Sequence, residues 1–182
     1  MIAYHLDCDG VLKENSTLSL LTTDANPNLP EIKLYGFLSV SNWGQRCYKA
    51  LVSPTTLADY HSINSVQIDL QAEVIRKNYF PDKPSRFKSI FAVKQLSDLK
   101  LWANILPINQ SSSVFEIEYD PSVSTELDAN FLMGGIDVNP AESLSTLCKY
   151  WSGEMSDSPL PELLIPLPAI VRKRLSPGEL IF

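Results

Sequence analysis

The run Phe80-Pro81-Asp82-Lys83-Pro84-Ser85-Arg86-Phe87-Lys88-Ser89-Ile90-Phe91-Ala92 decides how this chain is read. Pro81 and Pro84 fix their own φ angles and remove two backbone donors, so a helix arriving from the N-terminal side must end here. Ser89-Ile90-Phe91-Ala92-Val93 is short and apolar, and reads as a buried strand. Between the break and the strand, Ser85, Arg86 and Ser89 set a guanidinium and two hydroxyls beside a hydrophobic element. A guanidinium so placed pairs bidentately with a phosphate or a carboxylate. Composition leaves both readings open: a ligand anion, or an acidic neighbour in a structural turn.

Upstream of this run, residues 31–80 read as mainly helical. Ser53-Pro54 has the form of a cap followed by proline at the first helical position. Leu57, Tyr60 and Ile63 recur at helical spacing, and Leu70, Val74 and Ile75 continue it in a helix over 69–79. At the start of the chain, Ile2-Ala3-Tyr4-His5-Leu6 reads as a strand that ends in the turn Asp7-Cys8-Asp9-Gly10. Thr17–Leu21 reads as a second short strand.

Downstream, Ser97–Trp102 reads as a capped helix and Ser113–Tyr119 as a partly alternating strand. Pro140–Trp151 reads as a helix with Asn139 as its cap. Glu162–Ile165 and Ala169–Val171 read as strands, with Pro166 and Pro168 imposing an edge or a break. The sum is one α+β domain over residues 1–182. Its helices gather in the N-terminal half, and its first strand pairs with the C-terminal strands in one sheet.

The chain has 182 residues, of which 45% are hydrophobic and 20% charged, enough apolar side chain for a real core. A net charge of −6 argues against binding nucleic acid through its phosphate backbone by bulk charge, and leaves a local basic patch open. Cys8, Cys47 and Cys148 are odd in number and lack CxxC spacing, which disfavours a disulfide framework and a zinc site. They suit a reducing cytosol. No basic leader and no apolar run of about 18 residues is visible, so neither export by a signal peptide nor a membrane span is expected.

No P-loop, GxGxxG, HExxH or GxSxG pattern occurs, and two histidines are too few for a His-rich metal site. His5, inside an apolar strand, is either a satisfied structural residue or a fixed hydrogen-bonding group facing a cleft. Glu162 opens Leu163-Leu164-Ile165, where a carboxylate is either solvated or held at a cleft mouth; Glu154 competes with it. Arg172-Lys173-Arg174 reads as a solvated strand end. Trp43, Trp102 and Trp151 read as core residues, with a pocket-lining alternative for Trp151 beside Gly153.

Three segments then act together. They are Tyr4-His5-Leu6 with Leu12-Lys13-Glu14-Asn15 and Leu18-Ser19-Leu20; Tyr79–Ala92; and Tyr150-Trp151-Ser152-Gly153-Glu154 with Pro161-Glu162-Leu163-Leu164-Ile165. In this order they resemble small bacterial proteins of the ADP-ribosyltransferase superfamily, effectors among them. The resemblance implies a split, mixed β-sheet with an NAD cleft between its halves. It implies NAD as substrate, His5 and Glu162 as catalytic residues, and His5, Ser85, Arg86 and Ser89 as NAD-binding residues. Glu162 would steady the ribose cation, and Arg86 would meet the pyrophosphate. The product would be a mono-ADP-ribosylated protein, in the cytoplasm or in a host cell reached through a specialised secretion system. The chain departs from the toxin pattern in having Leu160 two residues before Glu162, where that pattern has Glu or Gln, and in lacking a paired-tyrosine nicotinamide clamp. The missing second acid supports the alternative, a non-catalytic interaction module (effector or inhibitor) on the same fold.

Overall fold

Strand pairing, in the computed structural model, sorts the chain into two main sheets. The structure describes residues 1–52, 57–132 and 139–176. The Ser53-Pro54 cap lies outside the described residues, as do the side chains of Leu57, Tyr60 and Ile63. The strands are β1 (Ile2–Asp7), β2 (Ser16–Leu18), β3 (Leu21–Thr22), β4 (Ser39–Val40), β5 (Ser89–Ala92), β6 (Ser113–Glu118), β7 (Thr125–Asp128), β8 (Pro161–Pro166) and β9 (Ala169–Arg174). The helices are α1 (Pro30–Tyr35), α2 (Asn42–Val52), α3 (Leu57–Tyr79), α4 (Leu99–Ala103) and α5 (Pro140–Ser152). The architecture is α+β.

One sheet has the order β1-β6-β9-β2, a second β5-β8-β7, and β3 pairs with β4 apart from both. Every described pairing is antiparallel, which corrects the expectation of a mixed sheet. Parallel neighbours need a crossover that returns the chain in the same direction. Here α5 and the loop after it return β8 against β7. β1 and β9 share a sheet as expected, but β8 does not join them. Pro166 and Pro168 end one ladder, and the chain changes sheet before β9 begins. A backbone bridge links the sheets, where Tyr4 N donates to Val93 O at 2.8 Å and Val93 N donates back to Tyr4 O at 2.9 Å.

The proline break works as its chemistry demands. α3 ends at Tyr79, and Arg76 turns back on the freed backbone, donating to the carbonyls of Pro81 (3.3 Å) and Lys83 (2.9 Å). Asn139 caps α5 by accepting from Ala141 N at 2.9 Å. The capped helix expected at Ser97 is instead a 3₁₀ turn (Leu96–Asp98) leading into the short α4, and no side chain caps either element. The strand β7 has no counterpart in the sequence reading, because Thr125-Glu126-Leu127-Asp128 carries a single apolar residue.

Ile117, Leu163, Ile165 and Val171 pack between sheet strands, while Leu127, Leu147, Tyr150, Trp151 and Leu164 join α3 and α5 to the second sheet. Trp151 is wholly buried there, its Nε1 donating to Ala72 O at 2.8 Å, so it is core and not a pocket wall. Among the described residues, no helix is long and apolar enough to cross a membrane.

Candidate functional site

The bridge between the sheets brings His5 on β1 against Phe91 on β5. His5 Nδ1 lies 2.6 Å from Phe91 O. A carbonyl only accepts, so Nδ1 carries the hydrogen and Nε2 keeps the lone pair. Burial pushes the imidazole pKa down, against the Phe91 carbonyl and the Asp7 and Asp9 charges, so the ring is neutral at pH 7. It is therefore a fixed hydrogen-bond acceptor.

β1 runs into a turn organised by Asp7. This buried carboxylate accepts from Asp9 N (3.1 Å), Gly10 N (3.0 Å) and Leu12 N (2.8 Å). The turn presents Asp9 to Arg46 of α2, with which it forms an exposed ion pair. Trp43 and Arg46 stand three residues apart, so they share one helix face, and that face is turned to the site. The helix comes close because residue 44 is glycine. A Cβ at position 44 would lie 2.8 Å from Val40 Cβ and closer still to the Phe87 carbonyl oxygen.

Two cavities open here. The larger, about 340 Å³, is lined by Glu162, Trp102 and Leu106 among others. The smaller, about 160 Å³, is lined by Ser41, Ser89, Leu18 and Leu167 among others. His5, Asp7, Asp9, Trp43, Arg46 and Phe91 line both, and this common boundary is the waist of the site.

Glu162 enters the larger cavity from near the start of β8, with its side chain 5% exposed. Its Oε1 accepts from Tyr150 Oη–H at 2.7 Å and from Arg86 Nη1. Arg86 Nη1 also donates to the Tyr150 oxygen, and Arg86 Nε donates to Asp69 Oδ1 at 2.6 Å. Asp69 Oδ2 accepts from Trp43 Nε1 at 2.6 Å. The guanidinium carbon sits 4.7 Å over the Phe91 ring. Burial would push the guanidinium pKa down, but the Asp69 and Glu162 charges outweigh it and hold it well above its ordinary value. Burial also pushes the Tyr150 phenol up, so its hydroxyl stays a proton donor.

The sequence-derived residues separate into three groups. His5 and Glu162 line the same cavity, and Ser89 lines the neighbouring one while its Oγ donates to Ser85 O at 2.8 Å. Arg86 is buried, ion-paired with Asp69 and Glu162, and lines neither cavity, so the acidic neighbours that its residue type allows are both present. Ser85 lines neither cavity, and its Oγ is buried with no partner among the described residues.

Four residues received no site role from the sequence: Trp43, which reads there as core, Arg46, Asp69 and Tyr150. A signal existed for three of them. Trp43 and Arg46 have same-face spacing, and Asp69 is an acid between apolar Ile68 and Leu70, on the side of α3 that is buried.

A family model described as "Protein of unknown function (DUF2441)" matches residues 40–176. That span includes Trp43, Arg46, Asp69, Arg86, Ser89, Tyr150 and Glu162, while His5 and the Asp7 turn precede it. No curated protein matches the chain.

Proposed function

The chain belongs to the DUF2441 family, and from the site itself we propose that it is an NAD-dependent mono-ADP-ribosyltransferase acting on a protein. The observation that carries this reading is the meeting of His5 and Glu162, from opposite ends of the chain, on one cavity that adjoins a second across a shared waist. Two neighbouring chambers with these residues in common suit a ligand with two ring systems and a linker. Arg46 at the waist suits an anionic linker such as a pyrophosphate, which would take the place of Asp9 on the guanidinium. A sheet split into two parts that meet at the Tyr4–Val93 bridge supports the likeness to an ADP-ribosyltransferase fold; the all-antiparallel pairing does not.

The chemistry follows from the charges. When the nicotinamide–ribose bond breaks, its electron pair leaves with nicotinamide and the ribose becomes cationic. The Glu162 carboxylate, fixed before the reaction, stabilises that cation. The neutral His5 Nε2 accepts a hydrogen bond from a ribose hydroxyl. A nucleophilic side chain of the target then bonds to the anomeric carbon and gives up its proton to solvent water. Three free thiols fit action in a reducing cytosol, of the producing cell or of a recipient.

The test is incubation of the folded chain and its Glu162→Gln variant with labelled NAD and lysate proteins. Label transfer and NAD hydrolysis are expected to fall by about 10²–10³-fold in the variant. Equal rates in the two proteins remove Glu162 from the mechanism. Absence of both label transfer and thermal stabilisation by NAD favours the interaction module instead.

A further inference from the structure

We infer that Tyr150 and Arg86 are positioning residues for Glu162, and that Trp43 braces the same clamp from the cavity wall through Asp69. The role assigned to Glu162 rests on the transferase reading; the clamp itself does not.

A glutamate side chain has three torsions, and on a strand it sweeps a wide arc. Here two donors from separate elements, Tyr150 of α5 and Arg86 of the 3₁₀ turn Arg86–Lys88, converge on the one oxygen Oε1. That fixes the carboxylate and leaves Oε2 as the oxygen to meet a ligand. Arg86 is itself held, by Asp69 of α3 at 2.6 Å and by the Phe91 ring of β5. Asp69 is held in turn by the Trp43 indole of α2, and Trp43 lines both cavities. The chain of contacts therefore begins and ends at the cavity.

A second buried acid–arginine pair shows the contrast. Glu73 and Arg76 form a two-pronged pair at 2.8 and 3.0 Å within α3, and Arg76 Nη1 donates to the Pro81 and Lys83 carbonyls. That pair closes a helix end and neither member lines the site cavities. The Arg86 network closes no helix end, and its last member stands in a cavity wall.

The test removes one hydroxyl. Tyr150→Phe keeps the ring that packs on Trp151, with centroids 4.9 Å apart. Calorimetry is expected to give an NAD affinity within about twofold of the parent, while single-turnover NAD cleavage slows by about tenfold or more, the worth of one hydrogen bond to a charged group. The ¹³C carboxyl resonance of Glu162, identified by its loss in Glu162→Gln, is expected to move. An unmoved resonance overturns the inference, and so does a rate that falls only as far as affinity does. If Tyr150→Phe does not fold, Trp43→Phe serves: it removes the indole N–H that holds Asp69, together with part of the ring, and the same resonance must move. If the parent protein cleaves no NAD, the transferase reading fails on its own, and the resonance still decides the clamp.

Discussion

Asp128 and Glu162 are buried acids on paired strands, one register step apart, and they are bound in opposite ways. Leu127 faces Glu162 across the β7–β8 ladder, and Asp128 faces Pro161. Asp128 uses both oxygens: Oδ1 accepts from Asn130 N and Leu160 N, Oδ2 from Ser156 N and Ser156 Oγ. Three of those four donors are backbone groups. Among the described residues, Glu162 is held on Oε1 alone, and only by side chains. An acid saturated by main-chain donors organises its own chain. An acid clamped through one oxygen by other side chains keeps the second for something else. The two are linked in sequence as well, since Asp128 fixes the loop over 156–160 that leads directly into the strand carrying Glu162.

The largest effect expected is on the clamp as a whole. Arg86→Met leaves Asp69 and Glu162 buried without their cation, and should cost about 3–5 kcal/mol of folding stability in urea denaturation. A cost near that of an exposed ion pair would mean that the clamp is not buried as described.

Next is Asp128→Asn, which turns one acceptor into a donor facing the Ser156 amide and hydroxyl; about 1.5–3 kcal/mol should be lost. Glu162→Gln should cost about 1 kcal/mol or less, because an amide oxygen still accepts and Arg86 keeps Asp69. Equal losses for the two variants would erase the distinction between them. The contrast also has an acid limb. Burial alone would raise the Asp128 pKa, but the Ser156 hydroxyl and the backbone donors outweigh it and hold it below its ordinary value. Its contribution is therefore complete above about pH 3.9, the unfolded value, and is lost as pH falls through the lower folded value. Asp128→Asn should lack that part of the acid loss.

The smallest effect concerns His5. Its pKa lies below the ordinary histidine value, so NAD affinity should be flat above about pH 6.5 and should weaken only in more acid solution, where Nε2 gains a proton and stops accepting. Calorimetry across pH reads this directly. An affinity that rises in acid would mean that the charged ring binds the ligand.

The elements bearing His5 and Glu162 are legible from short apolar runs beside turn residues, and the break before Arg86 from two prolines. Their convergence is not legible. It depends on the contact between Tyr4 and Val93 and on the pairing of β5 with β8, both between distant stretches of chain. Arg86 shows the limit most clearly. Its residue type announces an anion, phosphate or carboxylate, but the choice is made by Asp69, 17 residues earlier, and Glu162, 76 residues later. Trp43 has the composition of a core residue, and only the direction of α2 makes it a wall.

That direction has an unexpected custodian. Gly44 faces away from the cavities, toward the Phe87 carbonyl and Val40. Even one added methyl would drive the helix outward and carry the indole and guanidinium with it. The position of the wall common to both cavities is thus gauged from behind, by a missing carbon on the far side of the helix, and not by any residue that looks into them.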